Sequence, residues 1–275
     1  MPNRARAANS FLTVTLRRID LDRGDNPVLR DIAWTIRPGQ RWLLVGGNGA
    51  GKTQLLKLLS GAVWPKPAKR ALRRYHLRGE SHDTPAGVLE EIAYVGAERQ
   101  DRYEHYDWNF LAHEVVGTGL QRTDIPMRAL TAGEQRRVAA LFRKLDIVDL
   151  AHRRFLTLSY GERRLVLIAR ALAWSPKLLL LDEVANGLDS RNHARLMHWL
   201  AATGRSAMPW VFATHREPDV PDSMTHLLEL GRGRIRKSGP MRPARARELL
   251  RQDSREFLAP GGRRRRGNRR RRVLV

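Results

Sequence analysis

The chain has 275 residues, 42% hydrophobic and 29% charged, with a formal net charge of +23 and no cysteine. That length suits one large α/β domain that buries its own core, so no disulfide or metal staple is needed to hold it. Without cysteine, disulfides, thiolate metal sites, iron–sulfur ligation and a cysteine nucleophile are excluded. The longest leucine run, Leu178 to Leu181, lies between Lys177 and Asp182, far short of the ~18 apolar residues that span a bilayer. Met1 to Ser10 has arginines but no apolar stretch of the signal-peptide kind. The expectation is a soluble, cytoplasmic chain. Most of the positive charge is local. Residues 263–272 hold eight arginines and no acid, and residues 231–256 hold nine basic and three acidic residues. The first 230 residues are only moderately basic, so the overall charge says little about nucleic acid.

In chain order, residues 11–45 read as strands. Ile32, Trp34 and Ile36 alternate with polar or small residues, Pro38-Gly39 turns the chain, and Trp42 to Val45 is a continuous apolar run suited to a strand covered on both faces. Residues 52–60 read as a helix with Leu55, Leu56, Leu58 and Leu59 apolar and Gly61 as its stop. Polar and basic residues from 65 to 90 predict no element sharply. Ile92 to Val95 reads as a strand. From about 104 to 174 the spacing is helical, clearest over Thr131 to Leu145 and Gly161 to Trp174. A strand over Leu178 to Leu181, a helix over Asp189 to Ala202 and a strand over Trp210 to Thr214 follow. Thr225 to Leu230 and Gly233 to Lys237 are spaced to pair as a hairpin. From Gly261 onward the arginine-rich composition predicts a disordered tail. Strands and helices that alternate around a helical insertion predict an α/β fold with a mainly parallel sheet. The domain is expected over 11–260, the helical subdomain over about 104–174, and the tail over 261–275.

Two segments carry chemistry. Gly46-Gly47-Asn48-Gly49-Ala50-Gly51-Lys52-Thr53 matches GxxxxGK[ST] between a strand and a helix. The glycines let backbone N–H groups converge on phosphate oxygens, and the helix N-terminus adds partial positive charge. Lys52 is placed for the β- and γ-phosphates and the Thr53 hydroxyl for Mg²⁺. Farther on, the strand Leu178 to Leu181 ends in Asp182-Glu183. A carboxylate at the carboxyl end of a strand beside the P-loop strand is placed for Mg²⁺, which leaves Glu183 to orient or deprotonate the attacking water.

Between these motifs lies Leu158-Ser159-Tyr160-Gly161-Glu162-Arg163-Arg164, and beyond them come Gly187-Leu188-Asp189 and Thr214-His215. Over about residues 11–240 this order resembles the nucleotide-binding domain of the ABC ATPase family. The resemblance implies a P-loop NTPase (RecA-like) core with an N-terminal antiparallel β-subdomain and an inserted α-helical subdomain. It implies ATP with Mg²⁺ as ligands. Gly46 to Thr53 match Walker A, and Leu178 to Glu183 match Walker B with its catalytic glutamate. Leu158 to Glu162 match the LSGGQ signature, Leu188-Asp189 the D-loop and His215 the switch histidine. Ser159 and Gly161 are the signature groups implied to meet the γ-phosphate.

The sequence also departs from the family. Tyr160 stands where the signature usually has glycine, Glu162 where it has glutamine, and Val184 where a proline commonly follows the catalytic glutamate. Arg23 falls at the position of the adenine-stacking aromatic, and a guanidinium can also stack on a purine. A gapless match puts Ala97 at the family's glutamine. Gln100 is taken as the Mg²⁺ and water contact, with Glu98 next, an order similar to molybdate-related soluble ABC ATPases. Leu130-Thr131-Ala132-Gly133-Glu134-Gln135 resembles a second signature, but it lies too far from Asp182 and is read as a capping box of Thr131 and Glu134.

ABC sites are implied to be composite, so one P-loop and one signature imply a homodimer or pairing with a second ABC ATPase subunit. The leading reading is the ATP-binding subunit of an ABC transporter acting with separate membrane-spanning permease subunits. The other is a soluble ABC ATPase acting on nucleic acid or another cytoplasmic target. A P-loop GTPase or kinase fails on the signature and the switch histidine. Tyr103, Tyr106, Trp108 and Phe110 follow the glutamine loop, where the resemblance implies that a permease helix docks; packing of these aromatics into the core is the competing expectation. Arg263 to Arg272 are a candidate contact for nucleic acid or anionic lipid.

Overall fold

A computed structural model describes residues 11–258. Its N-terminal layer is a four-stranded antiparallel sheet. β1 (Thr13–Arg23) and β2 (Asn26–Ile36) form a hairpin, β4 (Leu72–Leu77) pairs along the other edge of β1, and β5 (Glu80–His82) follows. Val14 and Leu16 alternate inward as a half-buried strand requires, and then the register shifts before Ile19, with Arg18 at φ 49°. That bulge returns Ile19 and Leu21 to the buried face despite the break in period.

The second sheet contains β3 (Arg41–Val45), β6 (Ile92–Val95), β7 (Leu178–Asp182), β8 (Trp210–Ala213), β9 (His226–Gly231) and β10 (Arg234–Pro240), in the order β10-β9-β3-β8-β7-β6. Every pairing is parallel except the hairpin of β10 with β9. The leucines of β7 have no exposed surface, and the two-residue period divides them between two cores. Leu178 and Leu180 face the core shared with α1 (Lys52–Ser60) and the antiparallel sheet. Leu179 and Leu181 face the core shared with α3 (Ala112–Gln121), α4 (Ala132–Lys144), α5 (Tyr160–Leu172) and α6 (Ser190–Ala202). A C-terminal helix, α7 (Pro243–Leu258), closes the described chain.

Two differences from the sequence reading have identifiable causes. Residues 65–90, which predicted nothing sharply, contain β4 and β5. In β4 the inward positions are Arg73, Tyr75 and Leu77, so a buried arginine disguises the alternation. Its Nη1 donates to the carbonyls of Leu58 and Val63 at 3.1 and 3.0 Å. The helical region also begins earlier than residue 104, at α2 (Ala97–His105), whose polar surface conceals a short buried face made by Gln100 and Tyr103. The expected capping box at Thr131 is present: its hydroxyl accepts from the Glu134 N–H, and its own N–H donates to Glu134 Oε2 at 2.9 Å.

Asp124 ties the insertion together. Its carboxylate accepts from Arg99 on α2, from Arg102 at 2.6 Å, and from the buried Arg170 of α5 at 3.0 Å. The Arg170 Nε also donates to Thr118 on α3 at 2.7 Å, and burial lowers its guanidinium pKa to about 10. An arginine with so little exposure needs its counterion, because an uncompensated buried charge costs several kcal/mol. Asp124→Ala is expected to lower the unfolding free energy by about 3–5 kcal/mol, read as a lower urea midpoint at unchanged slope. A loss below about 1 kcal/mol would mean that Thr118 and the Thr123 carbonyl satisfy Arg170 without it.

Candidate nucleotide site

The carboxyl ends of β3, β8 and β7, adjacent and parallel in the sheet, deliver three loops to one place. Such an edge is where open α/β sheets bind ligands. β3 runs into the glycine loop, which α1 leaves with Gly51 as its N-cap. Gly46 must be glycine, since a Cβ there would stand 2.2 Å from the Leu230 carbonyl oxygen. Gly51 has φ 104°, and a Cβ would press on Leu29 at 2.9 Å. The β9–β10 turn braces this loop, as Gly233 N–H donates to the Ala50 carbonyl at 3.1 Å.

Lys52 is 6% exposed. Its ammonium donates to the carbonyls of Gly46 and Gly47 at 2.9 and 3.3 Å and pairs with Glu183 Oε1 at 3.1 Å. Glu183 follows β7 with φ 50°, a left-handed conformation uncommon for a side chain of its size. Its N–H donates to the Ala213 carbonyl at 3.1 Å, and its Oε2 accepts from Asn186 Nδ2 at 2.9 Å. His215 Nδ1 lies 3.6 Å from Glu183 Oε1. The residue before it, Thr214, is fixed by a 2.7 Å hydrogen bond to the fully buried Asp219. Lys52, Glu183 and His215 are thus brought together.

Asp182, at the end of β7, is 8% exposed, and burial pushes its carboxyl pKa up. Its Oδ2 accepts from the Tyr94 hydroxyl at 2.9 Å, whereas its Oδ1 is buried without a hydrogen-bond partner. A free buried carboxylate oxygen and the Thr53 hydroxyl, which also acts on this carboxylate, are hard oxygen donors suited to Mg²⁺. The donor set therefore fits the cation expected from sequence.

The signature segment lies at the start of α5. Ser159 is the N-cap: its hydroxyl accepts from the Glu162 N–H at 3.2 Å, and its N–H donates to Glu162 Oε2 at 2.7 Å. The departure to Glu162 thus preserves a capping box. A Cβ on Gly161 would meet Leu188 at 3.1 Å and Asn192 at 3.2 Å, so this glycine lets the signature pack against the Leu188-Asp189 turn. The departure to Tyr160 has a physical account too. Its ring covers the buried Arg164 guanidinium at 5.1 Å, and its hydroxyl accepts from Arg164 Nη2.

Other sequence assignments fall elsewhere. Arg23 is exposed at the tip of the β1–β2 hairpin, whose second strand passes the glycine loop at Val28 and Leu29. Gln100 is fully buried on α2, and neither its oxygen nor its nitrogen has a hydrogen-bond partner; it is not bonded to Asp182. Ala97 begins α2, and Glu98 pairs with Lys57 of α1. Sequence reasoning missed Asn186 and Tyr94. The Asn186-Gly187 dipeptide was a turn signal, whereas Tyr94 reads as an ordinary core aromatic. Arg263 to Arg272 lie outside the described residues.

The ABC transporter family model matches residues 29–186. An ABC transporter ATP-binding protein of Lactococcus lactis, YmeB, is 31% identical over 229 residues, covering 82% of this chain and 86% of that protein. The ABC transporter ATP-binding protein ModF of Escherichia coli is 32% identical over 235 residues, covering 81% of this chain and 46% of that protein. Among solved structures, CbiO1 from Clostridium perfringens superposes with a TM-score of 0.67 at 22% identity, covering 89% of this chain and 93% of that one. By that family match and those identities, the chain belongs to the ABC transporter family as an ATP-binding, ATP-hydrolysing member.

Proposed function

We propose that this chain is the ATP-hydrolysing subunit of a transporter whose membrane path is supplied by separate chains, and that it works at the cytoplasmic face as a dimer. The convergence of Lys52, Asp182, Glu183 and His215 on one glycine loop carries the reading. No described helix is long and apolar enough to cross a membrane, which is why the path is assigned to other subunits. The relatives support transport through the names they bear, and CbiO1 is described as part of the transporter complex CbiONQ.

In this reading the loop N–H groups and Lys52 bind the β- and γ-phosphates. Lys52 exchanges its Glu183 partner for phosphate oxygen, which frees the Glu183 carboxylate to accept a proton from the attacking water. Asn186 holds the other oxygen of that carboxylate and limits its rotation. His215 is placed to donate to the γ-phosphate. Thr53 and Asp182 would hold Mg²⁺, which when bound offsets the charge developing on the phosphate oxygens. Ser159 and Gly161, packed on the Leu188 turn, are presented to the nucleotide of a second chain. Arg23 is proposed to lie against the purine and Gln100 to reach the metal site only after α2 moves.

The aromatic group at the end of α2 and just beyond it divides between the two expectations. Tyr103 is fully buried, Trp108 and Phe110 are half-buried against the core, and Tyr106 is 57% exposed and stacked on Trp108 at 5.0 Å. The same insertion opens a groove of about 620 Å³ lined in part by His113, Val138, Phe142 and Ala151. Tyr106 and this groove are the proposed contact for a membrane subunit's helix.

Glu183→Gln should bind ATP normally and hydrolyse it about a hundredfold or more slower, because the water loses its base; hydrolysis within a fewfold of the parent would overturn that assignment. The same variant should elute as a dimer with ATP and as a monomer without it. Ser159→Arg in that background should remain monomeric with ATP, and a persistent ATP-dependent dimer would remove the signature from the interface.

A further inference from the structure

Tyr94 makes a contact that no motif accounts for. In the parallel pairing of β6 with β7, Tyr94 lies opposite Leu180. The period of two then puts the Tyr94 side chain on the same sheet face as Leu180 and Asp182, the face that packs on α1. From there the phenol reaches along the strand and donates to Asp182 Oδ2 at 2.9 Å. Gly96 makes room for this arrangement. A Cβ at that position would stand 2.7 Å from the phenol oxygen and 3.0 Å from two ring carbons. Gly96 has φ −137°, an extended conformation open to any residue, so the constraint there is space and not backbone.

We propose that Tyr94 is a positioning residue for the metal-binding carboxylate: its hydroxyl fixes Asp182 Oδ2 and thereby aims Oδ1 at the cation that accompanies ATP. The inference rests on the proposed Thr53–Asp182 metal site. A carboxylate on a strand end has a free terminal torsion, and its two oxygens exchange places by rotation. Tying one oxygen to a donor on the neighbouring strand selects one orientation, as outer hydrogen bonds do for metal ligands generally. Two observations make the phenol the group that does this. Asp182 Oδ1 is the oxygen left buried and unpartnered. The glutamine at residue 100 is enclosed on α2 and makes no bond to Asp182.

The test measures metal binding apart from turnover. Full-length protein is titrated with Mn²⁺ in the presence of a non-hydrolysable ATP analogue, with bound Mn²⁺ followed by its paramagnetic resonance signal. Affinity for the analogue in excess EDTA is measured alongside. Tyr94→Phe should weaken Mn²⁺ binding by about tenfold, in the range of outer-shell substitutions, and leave metal-free analogue affinity unchanged. Gly96→Ala keeps the phenol but displaces it, and it should shift Mn²⁺ affinity in the same direction. Asp182→Asn is the reference, expected to weaken Mn²⁺ most. If Asp182→Asn weakens Mn²⁺ and neither Tyr94→Phe nor Gly96→Ala does, the positioning role is wrong while the metal site stands. Tighter Mn²⁺ binding in Tyr94→Phe would show that the phenol competes with the metal, which also overturns the proposal. If Asp182→Asn itself leaves Mn²⁺ affinity unchanged, the metal-site reading fails and the role of Tyr94 with it.

Discussion

The buried ammonium of Lys52 is the constraint around which the site is arranged. A charge with 6% exposure costs several kcal/mol unless compensated, and its partners come from two separate strand ends: the carbonyls of Gly46 and Gly47 after β3, and Glu183 after β7. Glu183 meets Lys52 from a left-handed backbone conformation that costs roughly 1–2 kcal/mol for a residue other than glycine. Neighbouring hydrogen bonds hold it there. Its N–H is satisfied by Ala213 on β8, its carbonyl accepts from Asn186 N–H at 3.0 Å, and its side chain accepts from Asn186 Nδ2. The parallel order β3-β8-β7 makes this possible, because it presents three carboxyl ends side by side.

The signature depends on its surroundings more than on its letters. Thr131-Ala132-Gly133-Glu134 and Ser159-Tyr160-Gly161-Glu162 form the same capping box with the same hydrogen-bond pattern. What separates them is what the helix start touches. Gly161 sits against Leu188 and Asn192 next to the Asp189 cap, so Ser159 is tied to the loop that carries Glu183. Gly133 has only the far end of Arg136 at 4.0 Å. Tyr160 strengthens the contrast: its ring rests on Gly187 while its hydroxyl accepts from Arg164 Nη2 beneath it. Packing therefore holds the Ser159 to Glu162 segment against the Leu188 turn, whatever its two departures in letters.

The glycine loop, the β7 run ending in two acids, the β9–β10 hairpin and the order of motifs were legible in the sequence because each rests on a strong local rule: glycine spacing, continuous apolar residues, or a turn between two short apolar stretches. Lys52 and Glu183 stood out for the same reason, and His215 through the family resemblance; the structure brings the three side chains together. β4 was not, since the buried Arg73 occupies an inward position and breaks the apolar alternation. α2 was not, since its buried face is only Gln100 and Tyr103. Tyr94 escaped because its role is set by a neighbour 88 residues away, on a strand whose register the sequence does not state. The glutamine position has no such rule behind it: a gapless match falls on Ala97, Gln100 lies three residues on, and the helix that carries Gln100 turns its amide inward.

The central claim is that each ATP site takes its phosphate loop from one chain and its signature from another. Mixing two inactive variants tests it most directly. Lys52→Ala lacks a working phosphate loop and Ser159→Arg a working signature, so each alone should hydrolyse ATP at background. An equal mixture contains heterodimers in which one of the two sites joins an intact loop to an intact signature. Steady-state ATPase of the mixture should rise clearly above that of either variant alone, because only a heterodimer in the two-fold arrangement joins an intact loop to an intact signature. Activity that stays at background, with heterodimers demonstrated by differential tagging, would contradict a site shared between two chains.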